Sequence, residues 1–218
     1  MGYGITIRVR GDYALFTRPE MKVERVSYEV ITPSAARGII EAVYWKPAIR
    51  WVIDKIHVLN EIQFTNIRRN EVSEKASESG ARQRMNGSAE PFFISATDSR
   101  QQRASMVLKD VDYIIEAHFE LTDKAGAEDS VEKHYNMALR RLRKGQYFQA
   151  PCLGTREFGA RVELIEDGQI PVSSLGDQNL GWMLYDLDFS NPQDIQPEFF
   201  KAELCKGVLD LTGVEVRR

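Results

Sequence analysis

The spacing of apolar residues along the chain alternates between the period of a strand and the period of a helix. Residues 4–10 and 111–121 place apolar side chains at every second position, which predicts two strands, and the second pattern is the clearer one. Residues 36–43 instead carry their apolar side chains on one helical stripe. The pattern therefore predicts helices that lie against a sheet.

The helix over residues 33–43 has well-marked ends. Thr32 is a favourable N-cap, Pro33 suits the first helical position, and Pro47 stops any continuation. Tyr44 falls at the edge of the apolar stripe, so its ring is expected to be partly buried with its hydroxyl in water.

The remaining elements follow from the same two periods. A break at Asn60 separates two extended runs, which predicts a hairpin, and Gly145 ends an amphipathic helix. Residues 73–104 are polar and predict a long loop that is partly disordered without a ligand. The predicted strands are 49–59, 61–72, 161–165, 180–189 and 202–211, and the predicted second helix is 132–144.

The order strand-helix-strand, strand-helix-strand predicts an α+β fold. We expect a ferredoxin-like (RNA-recognition-type) βαββαβ domain over residues 1–165, with an inserted β-hairpin. Residues 166–218 are expected to form a C-terminal β-sheet extension.

Composition limits the classes of function. The chain has 218 residues, is 43% hydrophobic and carries a net charge of −3, so bulk electrostatics cannot hold nucleic acid and any such site must be local. Arg140, Arg143 and Lys144 form the strongest basic cluster, although such clusters are usually solvated surface. Cys152 and Cys205 are too few for a disulfide framework, which favours a cytoplasmic protein, and no membrane span or membrane partner is expected.

The sequence lacks the motifs of metal hydrolases, serine hydrolases and P-loop proteins. The histidines lie in separate predicted elements without the spacing of metal ligands, so neither a metal nor another cofactor is expected. Gly154 and Gly159 flank a loop whose backbone amides could approach a phosphate, with Arg156 ready to clamp it, although an ordinary turn is the commoner meaning of such a loop.

His118 projects from the polar side of the 111–121 strand, between Glu116 and Glu120. These carboxylates should favour the imidazolium and orient the ring. A histidine that simply faces solvent explains the same pattern.

Six phrases of the sequence, taken together and in order, resemble one known family. The family is the CRISPR-associated pre-crRNA endoribonuclease of subtype I-C, the Dvulg branch of the fifth Cas family within the RAMP superfamily. The phrases are Gly11–Thr17, Arg37–Pro47, Leu108–Val111, Ala117–Glu120, Lys133–Tyr135 and Leu153–Glu157.

The resemblance implies metal-independent cleavage of CRISPR repeat RNA and retention of the crRNA product with other subunits of a type I-C interference complex. It also leaves a DNA contact open. The family's catalytic tyrosine and histidine match Tyr44 and His118, while the family lysine has no equivalent beside His118, so Lys109 is the substitute. The RNA-binding residues are then expected to be Lys46, Arg140, Arg143, Lys144, Gly154, Arg156 and Gly159.

Such a cut needs no metal in principle. A ribose 2′-hydroxyl attacks the adjacent phosphate when one group removes its proton, another protonates the leaving oxygen, and a cation stabilises the charge. Tyr44 and His118 are expected to approach each other across the first helix and the 111–121 strand. The alternative is a non-catalytic RNA-binding subunit that caps the repeat-derived end of the guide RNA.

The basic cluster yields a first test. Replacing Arg140 and Lys144 together by alanine should weaken binding of repeat RNA and flatten its dependence on salt, because fewer phosphates are neutralised. Titrations at several salt concentrations measure both quantities. An unchanged affinity and slope would place the RNA site elsewhere.

Overall fold

A computed structural model, which describes residues 3–21 and 23–218, contains one ten-stranded, mostly antiparallel sheet and three helices. The helices are α1 (Pro33–Val43), α2 (Glu78–Met85) and α3 (Val131–Arg143). The strands are β1 (Gly4–Ala14), β2 (Arg25–Val26), β3 (Ile49–Val58), β4 (Phe64–Val72), β5 (Arg100–Leu121), β6 (Arg161–Leu164), β7 (Gln178–Asp188), β8 (Gln196–Cys205), β9 (Val208–Asp210) and β10 (Val216–Arg217).

The sheet is organised around β5, which is 22 residues long. The strand order is β10-β8-β9-β3-β5-β1-β6, with β2 and β4 also pairing with β5 and β7 pairing with β8. The second half of β5 lies between β1 and β3, so Ala117 is opposite Ile5 on one side and Ile53 on the other. The predicted strand over 111–121 is thus confirmed, and it forms the second half of β5.

Helix α1 forms as its sequence predicts. The Thr32 side chain accepts a hydrogen bond from the Ala35 N–H, Pro33 occupies the first turn, and the helix ends before Tyr44. Ala36, Ile39 and the other apolar positions of the stripe are buried against the sheet. Local capping and periodicity are sufficient to define this element.

The predicted hairpin of strands 49–59 and 61–72 is wrong, because these two strands do not pair with each other. β4 pairs along its length with the first half of β5, from Phe64 opposite Leu108 to Val72 opposite Arg100, and not with β3. The inserted hairpin is therefore β4 with β5. The expected loop over 73–104 is also corrected, because α2 forms behind an N-cap at Ser77 and β5 starts at Arg100.

The C-terminal strands join the same sheet. β9 pairs with β3, and Arg37 of α1 forms an ion pair with Asp186 of β7. The strand predicted over 202–211 is two strands, since Lys206 and Gly207 both have positive φ values, 51° and 74°, and form a tight turn between them. Along the described chain, no helix is long and apolar enough to cross a membrane.

Gly154 and Gly159 flank one loop but have different structural requirements. Gly154 has a φ of 85°, and a Cβ there would overlap the carbonyl oxygen of Leu15. A Cβ at Gly159 would meet no atom within 4 Å. Gly154 therefore lets the loop pack against the end of β1, where the Leu15 N–H donates to the Leu153 carbonyl over 3.0 Å.

This difference predicts unequal effects of the same substitution. Gly154→Ala should lower the free energy of unfolding by about 2 kcal/mol or more, through the left-handed backbone and the overlap. Gly159→Ala is the matched control and should stay within about 0.5 kcal/mol of wild type. Urea unfolding of the two variants provides the comparison. Equal losses would show that the close approach to Leu15 does not matter.

Candidate active site

Tyr44 lies at the point where α1 ends. Its backbone N–H donates to the Ile40 carbonyl, and its own carbonyl accepts from the indole N–H of Trp51 over 2.9 Å. The side chain is only 2% exposed, so the partly buried position expected from periodicity is wrong. The chain leaves the helix at Tyr44 with extended backbone, and the ring turns into the space between α1 and α3.

The hydroxyl of Tyr44 is hydrogen-bonded to His134. The distance from Oη to Nδ1 is 2.8 Å, and His134 is as buried as Tyr44, at 2% exposure. Ser130 caps α3 by accepting from the Lys133 N–H, which fixes the first helical turn and places His134 on its inner side. The imidazole also lies edge-on to Phe119 of β5, with ring centroids 6.3 Å apart.

Asp129 approaches the other nitrogen of the same imidazole. Its Oδ1 lies 3.1 Å from His134 Nε2, although Nε2 has no aligned hydrogen-bond partner among the described residues. The Gly126 N–H, followed by the charges of Lys133 and His134, lowers the pKa of Asp129. An ionised Asp129 favours the proton on Nε2, which leaves Nδ1 to accept from the Tyr44 hydroxyl. The carboxylate of Asp129, the imidazole of His134 and the phenol of Tyr44 thus lie next to one another in this order.

Two cations lie beside the Asp129–His134–Tyr44 group. The Arg141 guanidinium lies 5.3 Å from the centre of the Tyr44 ring and donates to the Val43 carbonyl. Lys133 is exposed and its ammonium lies 3.7 Å from Asp129. Burial raises the pKa of Tyr44, while Arg141 opposes that effect, so the phenol is held in its neutral form near neutral pH.

His118 does not contact the Asp129–His134–Tyr44 group. Successive residues of a strand point to opposite faces, and Phe119 packs towards His134, so His118 faces away from Tyr44. His118 Nδ1 instead lies 2.9 Å from the carboxylate of Asp54. The expected approach of Tyr44 to His118 is therefore wrong.

The carboxylates expected to orient His118 have other partners. Glu116 contacts His57 over 2.6 Å, and Glu120 is paired with Arg50 over 2.9 Å. Lys109 is opposite Tyr13, nine positions along β5 from His118, or about 30 Å at strand spacing. Lys109 and His118 therefore cannot act on one phosphate.

The other predicted site residues lie on exposed surface just after α1, in and just after α3, and in the 153–160 loop. Arg143 is ion-paired with Glu166 over 2.7 Å, and the segment after α3 is held to α1, since the Phe148 and Gln149 N–H groups donate to the Ala42 carbonyl. Glu157, next to Arg156, is paired with Arg69. The exposed members of the predicted set are Lys46, Arg140, Arg143, Lys144, Gly154, Arg156 and Gly159.

A signal for His134 is present in the sequence. Val131, His134, Tyr135, Ala138 and Leu142 share one helical face, so the inner stripe of α3 includes a histidine. An amphipathic pattern that is defined by apolar residues alone does not reveal this histidine.

Comparison with known proteins adds relatives to this geometry. Residues 4–212 match the family model described as "CRISPR-associated protein (Cas_Cas5)". The chain is 53% identical over 219 residues to the CRISPR pre-crRNA endoribonuclease Cas5d of Mannheimia succiniciproducens, with 97% of this chain and 96% of the relative covered. It is 45% identical over 185 residues to the protein of the same name from Thermus thermophilus, with 85% and 73% covered. A solved structure described as a CRISPR-associated protein has 25% identity and a TM-score of 0.70, with 99% and 96% covered.

Proposed function

Since this chain belongs to the Cas5d branch of the CRISPR-associated Cas5 family, we propose that it cuts pre-crRNA with Tyr44 and His134 as its proton-transfer groups. The chain is an endoribonuclease that processes CRISPR repeat RNA. The observation that supports the choice of residues is the buried hydrogen bond of 2.8 Å between a neutral phenol and an imidazole whose other nitrogen lies beside an ionised carboxylate.

The reaction begins at the 2′-hydroxyl upstream of the cut. Its proton passes to Tyr44 Oη as the phenol gives its own proton to His134 Nδ1, and the 2′-oxygen attacks the adjacent phosphorus. The bond from phosphorus to the 5′-oxygen then breaks, the 5′-oxygen leaves with a proton taken from water, and a 2′,3′-cyclic phosphate remains. The imidazolium later returns its extra proton to water. Asp129 stabilises the imidazolium that results, as the carboxylate does in a catalytic triad. Lys133 is an exposed cation whose ammonium lies 3.7 Å from Asp129, and it stabilises the charge on the phosphate.

Access to the pair requires movement, because Tyr44 and His134 are both buried in the free protein. The segment 122–130 lies beside them, consists of turns and irregular backbone, and is exposed over most of its length. It also carries Asp129. RNA that displaces the exposed part of this segment, residues 122–128, reaches the phenol while Asp129 stays beside His134.

The fold supports a finer assignment within this proposal. The strand order β3-β5-β1-β6, with α1 and α3 as crossovers, is the order expected of a ferredoxin-like unit over residues 1–165. Residues 166–218 are then the C-terminal β extension. Free thiols at Cys152 and Cys205 suit a reducing cytoplasm, where the product would stay with other subunits of a type I-C complex.

The two histidines give a direct test of the site. His134→Ala should slow cleavage of repeat RNA about a hundredfold or more. Tyr44→Phe should have nearly the same effect, because it removes the hydroxyl that passes the proton from the 2′-hydroxyl to His134. His118→Ala is the matched control, since that histidine also pairs with an aspartate but on the opposite face, and it should retain activity. Single-turnover rates, with RNA affinity measured alongside, separate chemistry from binding. Loss of activity in His118→Ala alone would move the site to the Asp54 face.

The nucleophile has its own test. One 2′-deoxy nucleotide immediately upstream of the cut should abolish cleavage in EDTA while leaving binding nearly unchanged, and the normal product should end in a 2′,3′-cyclic phosphate. Gel analysis of end-labelled RNA reads out both results. Undiminished cleavage of the deoxy substrate would exclude attack by the 2′-hydroxyl.

A further inference from the structure

An open cleft of about 420 Å³ lies along the side of α1 that faces away from the sheet. One wall is the helix, and the other is the segment from Phe148 to Gly154 that follows α3. Backbone hydrogen bonds from Phe148 and Gln149 to the Ala42 carbonyl hold this second wall in place. The cleft is therefore a fixed feature of the α1 surface.

The cleft has exposed aromatic walls. Trp45 is 52% exposed and Phe148 is 86% exposed, whereas Trp51, only a few residues further along the chain, is 2% exposed in the core. Burying two such rings would have been favourable, so their exposure needs an explanation. Rings that flank an open cleft are suited to stack on another planar group.

The floor of the cleft is flat because its residues are small. Ala35, Gly38 and Ala42 follow one another at helical spacing, and a Cβ at Gly38 would meet no atom within 4 Å. Glycine in the middle of a helix costs stability relative to alanine, yet here no neighbouring atom requires it. The space above Gly38 is open, so a planar ring can approach the helix at this point.

Polar groups in the cleft match the edge of a nucleobase. The Glu41 carboxylate, 3.4 Å from Arg37, offers acceptors, and the Gln149 side chain offers both a donor and an acceptor. Proteins that read single-stranded RNA combine such groups with aromatic stacking of splayed bases.

We infer that this cleft binds one unstacked nucleobase of the RNA and thereby sets the register of the strand at the active site. The inference rests on the proposed function, since it requires RNA as the ligand. Trp45 follows Tyr44 directly, so a base held on Trp45 belongs to a nucleotide near the scissile phosphate. Gly154 also lines the cleft, so the next part of the RNA strand lies beside the 153–160 loop.

Stacking also explains how a chain of net charge −3 holds RNA. Stacking a base on an aromatic side chain releases no counterions, so it adds affinity that salt does not remove. Loss of the stacking residues should therefore lower affinity at every salt concentration by a similar factor, unlike loss of Arg140 and Lys144.

The test uses the full chain and repeat RNA with a 2′-deoxy nucleotide at the cut, so that binding is measured without cleavage. A set of these RNAs, each with a single abasic nucleotide, is titrated against wild type and against Trp45→Ala with Phe148→Ala. In wild type, one abasic position near the cut should weaken binding about tenfold. The double variant should bind the intact RNA about tenfold more weakly and lose its sensitivity to that same position.

Two further variants separate the cleft from folding and from general aromatic contacts. Gly38→Leu should fill the cleft and reduce binding as the double variant does, while its melting temperature is maintained or raised because leucine favours the helix. Trp182→Ala removes an equally exposed tryptophan, 50% exposed in β7, and should bind as wild type does.

The outcomes distinguish the cleft from the function. If wild type binds the RNA but every abasic position affects wild type and the double variant equally, the nucleobase site is refuted and the nuclease proposal stands. If wild type does not bind repeat RNA even at low salt, both fail.

Discussion

The sheet depends on one strand, β5, because β1, β2, β3 and β4 all pair with it. Backbone groups inside a sheet must be paired, so the register of β5 sets the register of its neighbours. The same register decides which side chains face the helices. Phe119 points into the helical layer, against Trp51 and His134, and its neighbour His118 points to the opposite face. The position of the phenol–imidazole pair is thus a consequence of strand alternation in β5.

The Tyr44–His134 pair illustrates how charged groups can surround two side chains in a protein whose net charge is small and negative. Tyr44 is buried, which keeps its phenol neutral, and His134 is held between that phenol and the carboxylate of Asp129. Arg141 and Lys133 place positive charge beside the pair while the chain as a whole is acidic. The electrostatic potential at the Tyr44–His134 pair therefore depends on a few near neighbours and not on net charge.

Elements with local signals could be predicted from sequence, and elements that depend on distant partners could not. Thr32, Pro33 and the apolar stripe specify α1 within a few residues of chain, and this prediction is confirmed. Nothing near β4 reveals that its partner lies across the 73–99 segment, so its pairing was predicted wrongly. For the site, Tyr44 was identified through resemblance, but the choice between His118 and His134 depends on which faces of β5 and α3 meet, and that is a tertiary property. The catalytic role of Tyr44 stays a prediction.

The pairing of β1 has a consequence for how the chain is made. Ile7 lies between Ile115 of β5 and Leu164 of β6, so β1 leaves the ribosome long before either of its neighbours. Most of the polypeptide must be synthesised before β1 is paired on either edge, and closing such long loops carries an entropic cost that slows folding. An apolar, β-prone segment stays exposed during that interval, which makes the nascent chain a natural client for chaperones that shield unpaired strands.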